Sequence, residues 1–219
     1  MRVPRLESPN LRRPMPPGQR YIDTFPIYDI TPQRPRFDPA TYRFRIWGAC
    51  EAPLELSWQE LEALPRLEVV ADFHCVTTWS KRALVWEGIP VRILLERVRP
   101  HPEAIQAMAH CLEGYTTNVP LSYLWEEDVL LADKLNGAPL SPEHGAPLRL
   151  VVPRLYAWKS AKYLCELELQ TDFLPGFWEE RGYHLIGDPW EEQRYWEPLE
   201  RVRTWWRRVR RVGVERTSP

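Results

Sequence analysis

The chain has 219 residues, of which 44% are hydrophobic and 27% are charged. This length and apolar content suit one globular domain, or one domain with extensions, that buries most of its apolar surface. The formal net charge is −1, which provides no general attraction for nucleic acid. We therefore expect no nucleic-acid partner.

Cysteine spacing and hydropathy exclude several further classes. The chain has four widely separated cysteines: Cys50, Cys75, Cys111 and Cys165. No C-x-x-C pair occurs among them, which disfavours a zinc site and a thioredoxin-type motif. No run of about 18 apolar residues is present, so we predict no transmembrane helix. Arg12 and Arg13 are followed by a proline-rich stretch instead of the apolar region of an export signal, which predicts a cytoplasmic protein.

The chain divides into three predicted regions. Residues 1–37 are rich in proline and arginine with little periodicity, which predicts an extended arm lying on the domain. Residues 38–196 form the predicted domain, and residues 197–219 form a basic C-terminal tail. The domain opens with Tyr42, Phe44 and Ile46 alternating with arginines, the pattern of a half-buried strand.

Within the domain, most periodic segments indicate strands. Ser57 and Glu60 form a capping box that predicts a short helix ending before Pro65. Residues 67–73 and 148–152 are predicted to be strands, and Cys165, Leu167 and Leu169 alternate with polar residues. The predicted fold class is α+β, mostly sheet with short helices.

Cys75 differs from the other cysteines in its surroundings. It follows the strand predicted at 67–73 and lies among His74, Thr77, Thr78 and Ser80. A polar loop at a strand end is a common place for chemistry. The alternative is a buried cysteine that acts as a small hydrophobic residue. We expect this structural role for Cys50, Cys111 and Cys165.

A cluster of cations provides the second signal. Lys159 and Lys162 are two of only four lysines in a chain that otherwise uses arginine, and they follow His144 and Arg149. Lysine is a compact, flexible point charge that suits phosphate. The alternative is a solvated basic turn.

Four ordered segments carry a specific resemblance. They read CVTTWS at 75–80 with WEGIP at 86–90, EGYTTN at 113–118, HGAPLRLVVP at 144–153 and WKSAKYL at 158–164. In this order they resemble the molybdopterin-binding domain of the sulfite oxidase family over about residues 37–190. The resemblance implies that family's mostly β fold and a molybdenum–molybdopterin cofactor.

The resemblance also implies roles for individual residues. Cys75 would be the thiolate that ligates molybdenum, as a soft metal prefers sulfur. Arg149, Ser160 and Lys162 would bind the phosphate end and the nearby pterin, and Lys159 lies in the same segment. His144 would contact the pterin, and Thr116 or Thr117 would contact an edge of its ring. Tyr28 would reach the cofactor from the arm. For Tyr28 the alternative is an aromatic packing anchor.

Departures from the family pattern leave the substrate open. Sulfite oxidases proper follow the metal cysteine with a G-N-R type segment whose arginine helps to hold sulfite, whereas this chain has Trp79 and Ser80 there. The similar bacterial branch that reduces methionine sulfoxide in proteins is exported. We expect oxygen-atom transfer on a small oxyanion or an S- or N-oxide. Because no C-x-x-C-H haem motif is present, electrons would be exchanged with a separate redox partner.

The competing hypothesis is a non-catalytic interaction protein with the same fold. Residues 199–212 place apolar residues at helical spacing among six arginines. Such a basic amphipathic helix can lie on a membrane, dock on a protein or pack on its own domain. A degenerate site would be expected to lose the metal thiolate or the phosphate cations, and both are present, which favours the enzyme.

Overall fold

The computed structural model describes residues 3–196, so the predicted C-terminal tail lies outside the described residues. In chain order the strands are β1 (Arg5–Glu7), β2 (Arg20–Tyr21), β3 (Arg43–Gly48), β4 (Leu54–Ser57), β5 (Leu67–His74), β6 (Trp79–Pro90), β7 (Gln106–Cys111), β8 (Thr116–Pro120), β9 (Leu130–Leu135), β10 (Ala138–Pro139), β11 (Arg149–Val151) and β12 (Leu164–Gln170). The α-helices are α1 (Trp58–Glu62), α2 (Val91–Val98) and α3 (Leu121–Leu124). Short 3-10 turns lie at Pro9–Arg12, Pro142–His144, Ala157–Lys159 and Glu179–Arg181. The predicted α+β class with mostly sheet is confirmed.

The first sheet has the order β1-β5-β6-β9-β10, with β2 added to β6 and β11 added to β9. Its central hairpin pairs β5 with β6, from Leu67 opposite Gly88 to His74 opposite Ser80. Because β5 ends at His74, Cys75 is the first residue of the loop that joins the two strands. The hairpin therefore presents Cys75 at one end of the sheet.

The N-terminal arm is extended and hydrogen-bonded into this sheet. Its β1 pairs in parallel with β5, and its β2 pairs in parallel with Trp79 and Ser80 of β6. The arm thus adds strands to the sheet in addition to lying on the domain. The division at residue 37 stays a prediction.

The second sheet has the order β4-β3-β12-β7-β8. Phe44 and Ile46 of β3 are fully buried, as their alternation predicts, and α1 begins with the predicted capping box between Ser57 and Glu60. Cys50 and Cys111 lie in the core cluster that packs against this sheet, where they act as small apolar residues.

A second core cluster lies beneath the hairpin loop and contains Phe73, Cys75, Trp86 and Tyr156. Closely packed aromatic side chains stabilise the loop from below. Within residues 3–196, no helix has the length and apolar character needed to cross a membrane.

Candidate functional site

A cavity of about 330 Å³ lies above this second core, a volume within the range of sites for small organic ligands. Its walls come from arm residues 25–30, the β5–β6 loop, the turns before β11 and β12, and the segment after β12. Six of the predicted site residues line it together: Tyr28, Cys75, His144, Arg149, Ser160 and Lys162.

Cys75 is held in a tight turn. Its amide donates to the Trp79 carbonyl at 2.8 Å, the Thr78 amide donates to the Cys75 carbonyl at 3.1 Å, and Thr78 has a φ of 77°. The sulfur lies 3.2 Å from Thr77 Oγ1. Burial raises the pKa of the Cys75 thiol, against the opposing effect of the Thr77 hydrogen bond. Burial therefore favours the neutral thiol, and binding of a metal would release its proton.

Arg149 is a buried cation, only 6% exposed. It donates from Nε to the Ser160 carbonyl and from Nη1 to the His144 carbonyl, both at 3.1 Å. Burial lowers its pKa to about 10, so it stays charged at neutral pH. Among residues 3–196 no carboxylate lies within ion-pair distance of it. A buried charge without a counterion is costly, so this cavity wall is suited to an anion.

Lys162 provides a second cation, and the protein itself already contacts it. Its ammonium donates to the Tyr28 carbonyl at 2.7 Å, to the Glu143 carbonyl at 3.2 Å and to the Asp29 carboxylate. Gly145 allows this approach, because a Cβ at 145 would lie 2.8 Å from Lys162 Cβ and the glycine has a φ of 103°. The predicted phosphate cation thus lies on the cavity wall with an internal carboxylate against it.

His144 and Ser160 are fixed by neighbouring groups. The His144 ring stacks on Phe25 with centroids 4.5 Å apart. Burial and the charges of Arg149 and Lys162 lower the pKa of His144, so the ring is neutral and offers one donor and one acceptor. Ser160 Oγ accepts from the Val152 amide at 3.0 Å.

Three predicted cofactor-binding residues do not reach the cavity. Lys159 is 0% exposed and pairs with Glu179, which also accepts from Thr117 Oγ1 at 2.8 Å. Thr116 pairs with His110 on the neighbouring strand and does not line the cavity. These three lie off the cavity because two of them anchor the segment after β12 and the third pairs within the second sheet, and their contact with the cofactor stays a prediction.

The structure adds wall residues that sequence reasoning missed. Glu113 lines the cavity with its Oε2 buried and without a hydrogen-bond partner among the described residues, and burial raises its pKa to about 7. Asp29, Phe25 and Tyr183 are also on the wall. Glu113 lies in the EGYTTN segment, where the family resemblance points to the threonine hydroxyls and not to the carboxylate. No pattern in the arm marked Phe25 or Asp29.

Comparison with known proteins identifies the same family of oxidoreductases at the level of the domain and of whole proteins. Residues 31–178 match the family model for the oxidoreductase molybdopterin-binding domain. The chain is 42% identical to the uncharacterized oxidoreductase YuiH of Bacillus subtilis, over 83% of this chain and 91% of that protein.

More distant matches include two named enzymes and one solved structure. The chain is 29% identical to the catalytic subunit of the protein-methionine-sulfoxide reductase of Campylobacter jejuni, over 70% of this chain and 59% of that protein. It is 28% identical to human mitochondrial sulfite oxidase, over 75% of this chain and only 36% of that protein. The crystal structure of the sulfane dehydrogenase SoxCD from Paracoccus pantotrophus has the same fold, with a TM-score of 0.58 and 24% identity over 64% of this chain and 40% of that chain.

Proposed function

The chain belongs to the oxidoreductase molybdopterin-binding domain family, and from this premise we propose that it transfers an oxygen atom to or from a small oxyanion or an S- or N-oxide. As a member of the family it is a molybdopterin-dependent oxidoreductase of the sulfite oxidase type and binds the molybdenum–molybdopterin cofactor. The electrons of the proposed reaction are exchanged with a separate redox partner.

The observation that carries the site assignment is the buried guanidinium of Arg149, which has no carboxylate counterion among residues 3–196, in the same cavity as Cys75. A cofactor that ends in a phosphate supplies the missing counterion, and charge-assisted hydrogen bonds to phosphate are strong. The unpartnered oxygen of Glu113 and the neutral ring of His144 can pair with the donors and acceptors of a pterin. The residues present therefore fit the cofactor.

We assign the metal-ligand role to Cys75. When bound, the cofactor supplies a metal that takes up or releases an oxygen atom together with two electrons. A thiolate is the soft ligand that such a metal prefers. Aromatic side chains of Phe25, Trp79 and Trp158 line the cavity, and apolar walls strengthen the electrostatic interactions inside.

The wall composition favours one of the two substrate classes. Aromatic surface near Cys75 suits a neutral S- or N-oxide, because the proposed phosphate end of the cofactor takes up the cations Arg149 and Lys162 and an anionic substrate would then lose its hydration without an equivalent partner. Reduction of a sulfoxide breaks the S–O bond, consumes two electrons and two protons, and releases a sulfide and water. In the opposite case, sulfite and water give sulfate, two protons and two electrons.

The test is to purify the protein from a host that makes the cofactor and to measure molybdenum and pterin per chain. We expect about one of each, since one thiolate alone binds the metal weakly. Reduction of dimethyl sulfoxide or trimethylamine N-oxide by a reduced viologen dye should exceed oxidation of sulfite by ferricyanide. Protein that repeatedly contains neither metal nor pterin would overturn the proposal. For any variant of Cys75 the matched control is Cys165→Ala, because this half-buried cysteine lies outside the cavity.

We also propose that the protein is cytoplasmic and that residues 197–219 contact a membrane surface or a partner protein. Cell fractionation tests the first. For the second, deletion after Trp196 should leave the molybdenum content unchanged and reduce binding to anionic vesicles or to a redox partner. A deleted chain that loses the cofactor would instead assign the tail to the site.

A further inference from the structure

Two side chains from outside residues 31–178 hold the backbone of the loop that carries Cys75. Gln19 Nε2 donates to the Cys75 carbonyl at 3.0 Å. Arg194 Nη1 donates to the carbonyl of the next residue, Val76. The loop is thus contacted from both flanks of the region that the family model matches.

Gln19 connects the two ends of the loop. It is 7% exposed, and its Oε1 accepts from Ser80 Oγ at 3.2 Å, while Ser80 Oγ lies 2.8 Å from His74 Nδ1. The adjacent strand β2 positions it, since the Arg20 amide donates to the Thr78 carbonyl at 3.0 Å. A shift of Gln19 would therefore shift the Cys75 backbone.

Arg194 joins the second flank to the first. Its Nη2 donates to the Pro17 carbonyl at 3.1 Å, and its guanidinium lies 5.1 Å from the centroid of the Tyr156 ring. Glu192 approaches Nη2 only to 4.0 Å. The side chain is 15% exposed, so its charge is only partly screened by solvent. Because Nη1 contacts the carbonyl of the residue next to Cys75, this charge lies beside the proposed metal ligand.

We propose that Gln19 and Arg194 are positioning residues for the metal ligand: Gln19 fixes the orientation of Cys75, and the charge of Arg194 raises the reduction potential of the metal that Cys75 holds. The inference rests on the proposed function, because it requires a metal at Cys75. A nearby positive charge stabilises the reduced metal, which carries one more electron, relative to the oxidised one. Groups that hydrogen-bond to the residues around a metal ligand, as Gln19 does, orient that ligand and thereby tune the metal.

The experiment uses full-length protein loaded with cofactor. Molybdenum and pterin are quantified first, and the Mo(V) signal is then followed by electron paramagnetic resonance during a redox titration. Arg194→Gln and Arg194→Met should lower the midpoint potential, and Arg194→Lys should restore most of it because it keeps the charge. Gln19→Leu should change the g-values, which report the geometry of the sulfur ligand, and Gln19→Asn should change them less.

Arg181→Gln is the matched control. Arg181 also donates to a backbone carbonyl and covers an aromatic ring, that of Phe177 at 3.7 Å, but its side chain is 50% exposed and its hydrogen bond is to Phe177 instead of the loop. The midpoint potential and the g-values of the Arg181→Gln protein should equal those of the wild type.

The outcomes separate the two proposals. Wild-type protein without metal and pterin would overturn the proposed function. Loaded variants with wild-type potentials and g-values would overturn the positioning role and leave the proposed function standing. A drop in potential that Arg181→Gln shares would also overturn it, because any lost cation would then suffice. If one neutral Arg194 variant fails to fold, the other neutral variant and Gln19→Leu decide the question.

Discussion

The ammonium group of Lys162 lies against the carboxylate of Asp29, which reaches it from the N-terminal arm. Asp29 also pairs with Arg34 at 3.0 Å. Although burial acts in the opposite direction, the hydrogen bond from Lys162 lowers the pKa of Asp29, so the carboxylate is ionised at neutral pH. The arm therefore places a negative charge where the proposed phosphate end of the cofactor would bind.

Removal of this charge should strengthen anion binding. We expect Asp29→Asn to bind inorganic phosphate or pyrophosphate up to about tenfold more tightly in the cofactor-free protein, because a competing charge-assisted interaction with Lys162 is lost. Calorimetric titration measures the effect. Asp23→Asn, in the same arm but outside the cavity lining, is the control. Weaker binding in Asp29→Asn would show instead that Asp29 orients Lys162 for the ligand.

The ion pair between Lys159 and Glu179 makes a contrasting prediction about stability. Both side chains are 0% exposed, so removing one partner leaves a buried, unpaired charge. We expect Lys159→Met to lower the free energy of unfolding by about 3–5 kcal/mol, measured by urea denaturation. Lys159→Met with Glu179→Leu should recover part of the loss.

The control for that experiment is Lys134→Met. Lys134 pairs with Glu87 at 2.8 Å, but its side chain is 40% exposed. Solvent screening limits such a pair to about 1 kcal/mol or less. Equal losses in Lys159→Met and Lys134→Met would contradict a special role of the buried pair.

Part of the site could be predicted from the sequence. Residue type and the ordered motifs identify Cys75, Arg149 and Lys162 as candidate site residues. The structure brings all three to one cavity. Alternation along the chain also predicted the buried face of β3, where Phe44 and Ile46 are fully buried.

Other features depend on contacts between distant segments. Lys159 and Lys162 look equivalent in the sequence, yet one is buried against Glu179 and the other lines the cavity. The difference arises because Glu179 comes from a segment after β12 that carries no motif. The arm strands β1 and β2 have only three and two residues, which is too short for a periodic pattern. Their placement follows from pairing with β5 and β6.

Glu113 should make stability depend on pH. Its folded-state pKa is raised by burial to about 7 from 4.5, so between these values the folded protein binds more protons than the unfolded chain. Stability must therefore fall as pH rises from about 4.5 to 7. We expect Glu113→Gln to be more stable than the wild type at pH 8 by about 1 kcal/mol, allowing for solvent screening, and equal to it near pH 4.

Urea denaturation of cofactor-free protein across this range provides the measurement. The wild-type curve also contains the buried histidines, because burial lowers the pKa values of His74 and His184 to about 4. The difference between wild type and Glu113→Gln cancels their contribution. A difference that does not change with pH would show that Glu113 is not held in its neutral form.

The last prediction separates cofactor anchoring from chemistry. Arg149→Ala and Lys162→Ala each remove a charge-assisted hydrogen bond worth about 1.5–3 kcal/mol, so cofactor retention should weaken about tenfold or more. Both proteins should purify partly empty. Cys75→Ala removes the proposed metal ligand but leaves the phosphate and pterin contacts, so pterin should largely remain while turnover collapses.

Pterin content and turnover with an artificial electron carrier should be measured on the same preparations, with activity expressed per bound pterin. On that scale Arg149→Ala and Lys162→Ala should stay near the wild-type value, because the cofactor that remains still meets Cys75. Cys75→Ala should lose nearly all activity per pterin, and Cys165→Ala should lose none. Near-normal activity in Cys75→Ala would remove Cys75 as the metal ligand. Unchanged pterin content in both cation variants would remove the phosphate site from this wall, since the buried charge of Arg149 would then have no anion to bind.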